Sequence, residues 1–174
     1  ADQPSQILFE DHHVVVGDRD NPALAGEMTR ELYFQLGHVS SRFGQAQMPA
    51  FDEWFVRRQK QQRRMEVIAP SFLSLPGLIV GTKRIATMHH RMAEQAVRTL
   101  PLVMRELPFA IPPIREVVQW NLVNNNDQAL RWVIDRLTDE AQARGEIPGL
   151  GIGEAEDIAR EEMAERFRMD ARSR

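Results

Sequence analysis

Apolar positions along this chain come in short clusters punctuated by turn residues, and their period changes repeatedly from that of a strand to that of a helix. Residues 7–10 and 13–17 are apolar runs of strand character, and the Asp-Arg-Asp-Asn-Pro sequence at 18–22 is a turn by composition. Residues 27–32 predict a short helix, 37–42 a strand and 44–49 a loop. At 51–62, Phe51, Trp54 and Phe55 fall at i, i+3 and i+4, the apolar face of an amphipathic helix. Asp52 and Glu53 stand in its first turn and Arg57, Arg58 and Lys60 later, in the sense favoured by the helix dipole.

Residues 64–90 carry the strongest pattern. A run rich in β-branched residues at 65–69 stops at Pro70, restarts as an apolar helix pattern over 71–80, turns at Gly81 and Thr82, and ends in a second strand at 84–88. Both crossings are nearly free of charge, as expected of strands in a parallel sheet covered on both faces. A helix opening on Ser71 would aim backbone N–H groups and a hydroxyl beyond the end of the first strand, the usual ligand location in open α/β sheets.

The remainder continues the alternation. Residues 90–99 predict a helix burying Met92, Ala93, Ala96 and Val97, and 102–107 a strand. Pro108, Pro112 and Pro113 force extended chain before an alternating strand at 114–122. Asn124 to Asp127 offers an N-cap to a helix over 127–144. Residues 145–153, with Pro148 and four glycines, read as a linker, and 154–168 as a charged helix with a thin stripe of Ile158, Met163 and Phe167. Strands and helices in one-to-one order specify an α/β layer architecture.

Composition narrows the classes of function. Hydrophobic residues make up 43% and charged residues 27%, ordinary for a globular domain. A net charge of −3 with a pI near 6.0 provides no basic field for nucleic acid. The absence of cysteine excludes disulfides, thiolate metal sites and cysteine catalysis, and fits a reducing cytoplasm. No apolar run is long enough to span a membrane. The chain begins Ala-Asp-Gln-Pro without a signal-like apolar region, which leaves secretion undecided.

Candidate chemistry is sparse. His12-His13 and His89-His90 are adjacent pairs, but neither forms a HExxH or His-x-His pattern, and neither has a carboxylate at a ligand-like offset. They read as exposed or capping side chains, with no metal expected. His38, between Leu36-Gly37 and Val39, is placed to hydrogen-bond a ligand or to serve as a satisfied structural histidine. Ser71 has no sequence-level sign of a base and is most economically an N-cap; no nucleophile elbow, GxGxxG or Walker loop occurs. The basic residues between Arg57 and Arg64 read as a solvated face. An enzyme is therefore the least favoured class, and no cofactor is expected.

In order and spacing, five stretches resemble the effector-binding domain of LysR-type transcriptional regulators, in the branch of nodulation activators and activators of aromatic-compound degradation. These are the strand and Arg-Asp-x-Pro turn at 8–22, Leu-Gly-His-Val at 36–39, the segments 67–82 and 84–88, and Glu-Val-Val-Gln-Trp at 116–120 followed by 127–135. The match runs over roughly residues 7–142. It implies a Rossmann-like lobe of a two-lobe, periplasmic-binding-protein-like (type 2) domain. Residues 1–12 would be the first crossing, 13–111 the second regulatory lobe, and 112–144 the return crossing with the C-terminal part of the first lobe. Residues 145–174 would lie outside as linker and tail. The DNA-binding part and part of the first lobe would be missing from these residues.

The resemblance also implies a site. His38, Ser71 and Phe72 take the positions that bind aromatic inducers, with Met88 and Trp120 facing the same inter-lobe cleft. Many relatives carry a histidine or another polar residue where this chain has Ser71, so a polar contact is kept and a base is lost. Phe72, Met88 and Trp120 as walls with His38 and Ser71 as anchors suit a small flat apolar molecule such as a phenol or chlorinated aromatic. The implied function is inducer sensing by a cytoplasmic, homo-oligomeric (dimeric or tetrameric) activator of a catabolic operon, with DNA contacted through a domain absent from this chain and no membrane partner. A periplasmic-type solute-binding protein is the rival reading, because the two share a fold.

Overall fold

The computed structural model describes residues 3–43, 48–49, 52–53, 56 and 61–143. In chain order these form β1 (Ser5–Asp11), β2 (His13–Asp18), α1 (Arg30–Gln35), β3 (Gly37–Phe43), β4 (Met48–Pro49), β5 (Arg64–Ala69), α2 (Leu75–Ile79), β6 (Ile85–His89), α3 (His90–Thr99), β7 (Leu102–Glu106), β8 (Ile114–Gln119) and α4 (Gln128–Ala143). Asp52, Glu53 and Val56 are also helical. Phe51, Trp54, Phe55, the linker at 145–153 and the tail at 154–168 lie outside the described residues. The chain divides into two compact units, one of Asp11–Pro113, the other of Ala1–Glu10 with Ile114–Arg174.

A mixed sheet organises the Asp11–Pro113 unit. β5 and β6 flank β3 in parallel, β2 runs antiparallel to β6, and β7 antiparallel to β2, with β4 a two-residue addition at the end of β3. Alternation along the buried strands sorts their side chains between two cores. Val14 and Val16 of β2 with Ala86 and Met88 of β6 meet Leu75 and Ile79 of α2 and Ala93 and Ala96 of α3. Val15 and Ile85, pointing the other way, meet Leu24, Met28, Tyr33 and Val56. Each fully buried aliphatic side chain contributes roughly 1.5–3 kcal/mol, so the two clusters dominate the stability of this unit.

Several expected boundaries move, each for a local reason. The helix expected at 27–32 begins only after Thr29, whose Oγ1 accepts the Leu32 N–H and so caps Arg30–Gln35. The helix expected at 71–80 is split. Ser71 caps a 3-10 turn, Phe72–Ser74, by accepting the Leu73 N–H at 3.2 Å, and α2 follows with Pro76 in its first turn. Of the two strands expected to be covered on both faces, β6 is buried, whereas β5 alternates between exposed and covered positions with Arg64, Glu66 and Ile68 outward. β5 pairs only with β3 among the described residues. The helix expected at 90–99 forms with Ala93 and Ala96 buried and with Met92 and Val97 packed on the same core.

In the other unit β1 and β8 form a two-stranded sheet. Arg115 of β8 pairs with Glu10 of β1, and Gln6 donates to the Thr138 hydroxyl of α4 at 2.7 Å. Asp127 caps α4 by accepting from the Ala129 and Leu130 N–H groups at 2.8 and 3.2 Å. No helix among the described residues is long and apolar enough to cross a membrane.

Candidate functional site

The parallel strands β3, β5 and β6 all run toward one end of their sheet, and the antiparallel β2 begins there. The register that pairs His13 with His89 therefore sets two histidines side by side at this carboxyl end. Ser71 and Phe72 follow β5 at the same end. The Phe72 ring lies 5.3 Å from the His89 ring, and both residues are half-buried. Ser71 holds the turn twice: its hydroxyl accepts the Leu73 N–H, and its carbonyl accepts the Ser74 hydroxyl at 2.7 Å.

The remaining expected site residues take different surroundings. Met88 is fully buried in the core that Phe72 packs against. His38 is also fully buried, with its Nε2 2.7 Å from the Tyr33 carbonyl. A carbonyl only accepts, so Nε2 carries the proton and Nδ1 is the bare acceptor; Nδ1 meets no protein partner among the described residues. Burial pushes the His38 pKa down to about 4, against the raising effect of the Tyr33 carbonyl, so the ring is neutral near pH 7. Trp120 belongs to the other unit, where its indole N–H donates to Asn125 Oδ1 at 3.1 Å and the Arg131 guanidinium lies 5.7 Å from the ring centroid.

Within the same unit is a buried polar group that the sequence pattern hides. Arg63 donates to Asp52 at 2.6 Å. Arg63 also reaches the Tyr33 hydroxyl, which pairs with the Thr87 hydroxyl at 2.8 Å. Arg63 is thus not part of a solvated basic face, and Asp52 is not merely a helix-dipole charge. Glu53, also buried, lies 3.7 Å from Arg42. His13 is buried too, which corrects its reading as an exposed or capping histidine. Burial lowers its pKa to about 4, with the raising influence of Asp52 and the lowering influence of His89 behind it.

One cluster was out of reach of local spacing. Asp11 closes β1, His12 follows it, and His90 opens α3. The backbone N–H of His90 donates to the His12 carbonyl at 2.8 Å, and the two imidazoles stack with centroids 4.6 Å apart. Asp11 is held between them by two backbone donors, the His12 N–H at 2.7 Å and the Arg91 N–H at 3.3 Å. One side-chain ligand atom from each of Asp11, His12 and His90 lies within 4.8 Å of the others. Antiparallel pairing of β2 with β6 creates this meeting; the sequence signal was the presence of a histidine pair at the start of one strand and another at the end of its partner.

A cavity of about 240 Å³ lies at the opposite end of the sheet among Gly37, Arg64, Glu66, Thr82, Lys83 and Arg84. Its carboxylate is already claimed by Arg64 at 3.1 Å and Arg84 at 2.7 Å.

No protein-family model matches the chain. Nodulation protein D 2 of Rhizobium tropici is 41% identical over 138 residues, which cover 79% of this chain and 44% of that protein. Nodulation protein D 2 of Sinorhizobium fredii is 38% identical over 141 residues, 81% of this chain and 45% of that one. The chain thus spans a little under half the length of these relatives. Among solved structures, a probable transcriptional regulator from Pseudomonas aeruginosa superposes with a TM-score of 0.68 at 26% identity, over 78% of this chain and 43% of that one. The regulatory domain of CcmR from Synechocystis, solved in complex with 2-PG, gives 0.67 at 12% identity over 80% and 67%. The regulatory domain of MetR, a LysR family regulator from N. meningitidis, gives 0.62 at 13% over 84% and 67%. The fold is the α/β fold shared by these solved regulators and regulatory domains.

Proposed function

We propose that this chain is the effector-binding part of a LysR-type transcriptional activator, and that its effector is a small aromatic molecule of the phenolic class. The observation that carries the reading is the turn Ser71–Phe72 at the carboxyl end of parallel β3, β5 and β6, the end where open α/β sheets take ligands. Phe72 would supply a flat apolar wall and Ser71 a polar contact. The ordered match of five sequence stretches, the relatives named nodulation protein D and the 2-PG complex of a domain of the same fold all support an effector site on this fold. The relatives' names favour a nodulation-type target over a catabolic operon.

In this reading Met88 shapes the floor under Phe72, whereas His38, fully buried and paired with Ile85 at the start of β6, supports the fold rather than the effector. The protein works in the cytoplasm as a homo-oligomer, and DNA is contacted through a winged helix-turn-helix of the whole protein. Effector binding shifts the population of two arrangements. A ligand that reverses a 1:99 balance must favour one arrangement by roughly 10⁴-fold, so discrimination between arrangements matters more than tight binding.

The test is a thermal-shift panel of phenols, chlorophenols, benzoates and flavonoids beside sugars and amino acids, on a protein carrying this chain within the length of its relatives. The reading expects a concentration-dependent rise with a phenolic class. A rise confined to sugars or amino acids contradicts it and supports solute binding.

A further inference from the structure

We infer that Asp11, His12 and His90 form a binding site for a divalent transition-metal ion of the zinc type, independent of the effector site proposed above. Two imidazoles and a carboxylate are the ligand set that borderline ions such as Zn²⁺ take, with a fourth position left to water or a second ligand. Three ligand atoms no more than 4.8 Å apart leave a central ion at most about 2.8 Å (4.8 Å divided by √3) from each. Zinc bonds to nitrogen and carboxylate oxygen are about 2.0–2.2 Å long. The contraction needed is therefore a side-chain adjustment, not a backbone rearrangement.

The backbone is already fixed on both sides of the site. The His90 N–H to His12 carbonyl bond and the β2–β6 register hold the two histidines at constant separation. The Asp11 carboxylate is oriented by its two backbone donors and keeps lone pairs beyond those they occupy. The imidazole planes lie 21° apart, and an ion cannot lie in both planes while they are so nearly parallel. One ring must turn. His12 is exposed and able to do so, whereas His90 is half-buried and Asp11 buried. The bound ion would clip the residue between β1 and β2 to the first residue of α3.

The decisive experiment is calorimetric titration of ZnCl₂ into the tag-free full chain, beside His12→Ala, His90→Ala and Asp11→Asn. The inference predicts one ion per chain, with affinity reduced ten-fold or more by each histidine substitution and a zinc-dependent rise in Tm lost in both. Because His90→Ala alters the start of a helix, Co²⁺ absorption and imidazole proton shifts of the unsubstituted chain supply a second readout. A nitrogen-ligated cobalt spectrum, with shifts at His12 and His90, supports the site. Absence of stoichiometric binding, binding unmoved by both histidine substitutions, or shifts confined to other histidines would overturn it.

Discussion

Arg63 donates to Asp52 across 2.6 Å with the two side chains 4% and 2% exposed, so a complete ion pair sits inside the Asp11–Pro113 unit. Removing one partner leaves an uncompensated buried charge, which costs about 3–5 kcal/mol. Asp52→Ala and Arg63→Ala are each expected to lower the urea midpoint by that equivalent. The double replacement Asp52→Leu with Arg63→Met should be far milder than the sum of the two single changes. Equal and additive losses would mean that the pair is not coupled.

The Tyr33 hydroxyl extends that group to Thr87 at 2.8 Å. Tyr33 is fully buried, and burial raises the pKa of its phenol, so it stays protonated over the accessible range. Tyr33→Phe keeps the ring packing against His38 and Phe109 but strands the Thr87 hydroxyl. The expected cost is about 1–3 kcal/mol, read by chemical denaturation, and Tyr33→Phe combined with Thr87→Val should recover part of it.

His13 and His38 set a pH dependence. Each has a folded pKa of about 4 against the ordinary 6.5. Between these values the unfolded chain binds a proton that the native state refuses, so stability falls as the pH drops from 6.5 toward 4 and this contribution levels off below. A shift of that size corresponds to roughly 3 kcal/mol per histidine. Urea midpoints measured from pH 7.5 to 4.5 should fall, and His38→Gln should flatten the slope by its share. A His38 ring that titrates near 6.5 in the native protein by NMR would refute this.

Gly17 is required by close packing rather than by its backbone angle. A Cβ there would stand 2.2 Å from Leu24 Cδ1 and 3.3 Å from Ile85 Cγ2, inside a buried cluster. Gly17→Ala is expected to cost about 1–3 kcal/mol, and pairing it with Leu24→Ala should relieve part of the clash. By contrast, the open space around Gly77 makes Gly77→Ala close to neutral or mildly stabilising by urea unfolding.

What the sequence revealed and what it hid divide along the range of the interactions. The valines at 14–16 and the stripe from Met92 to Val97 are local periodicities, so strand β2 and helix α3 could be read directly. Ser71 and Asp127 could be read as caps because a capping residue acts within three positions of itself. Thr29 caps its helix by the same rule, but Glu27 and Met28 before it blurred the start. Arg63 and Asp52 have the composition of an exposed amphipathic helix, and only the three-dimensional meeting with Tyr33 shows them to be interior. His12 and His90 are 78 positions apart, and no spacing rule could join them before the β2–β6 register was known. Of the expected effector-site residues, Ser71 and Phe72 stand at the sheet end, Met88 and His38 in the interior, and Trp120 in the other unit.

The central claim is that an aromatic effector is recognised at the carboxyl end of this sheet. The most direct test is hydrogen–deuterium exchange of a protein carrying this chain within the length of its relatives, with and without a saturating phenolic ligand. The account predicts slowed exchange at residues 70–75 and 88–90. Unchanged exchange there, with protection appearing only elsewhere or only with a sugar, would contradict it.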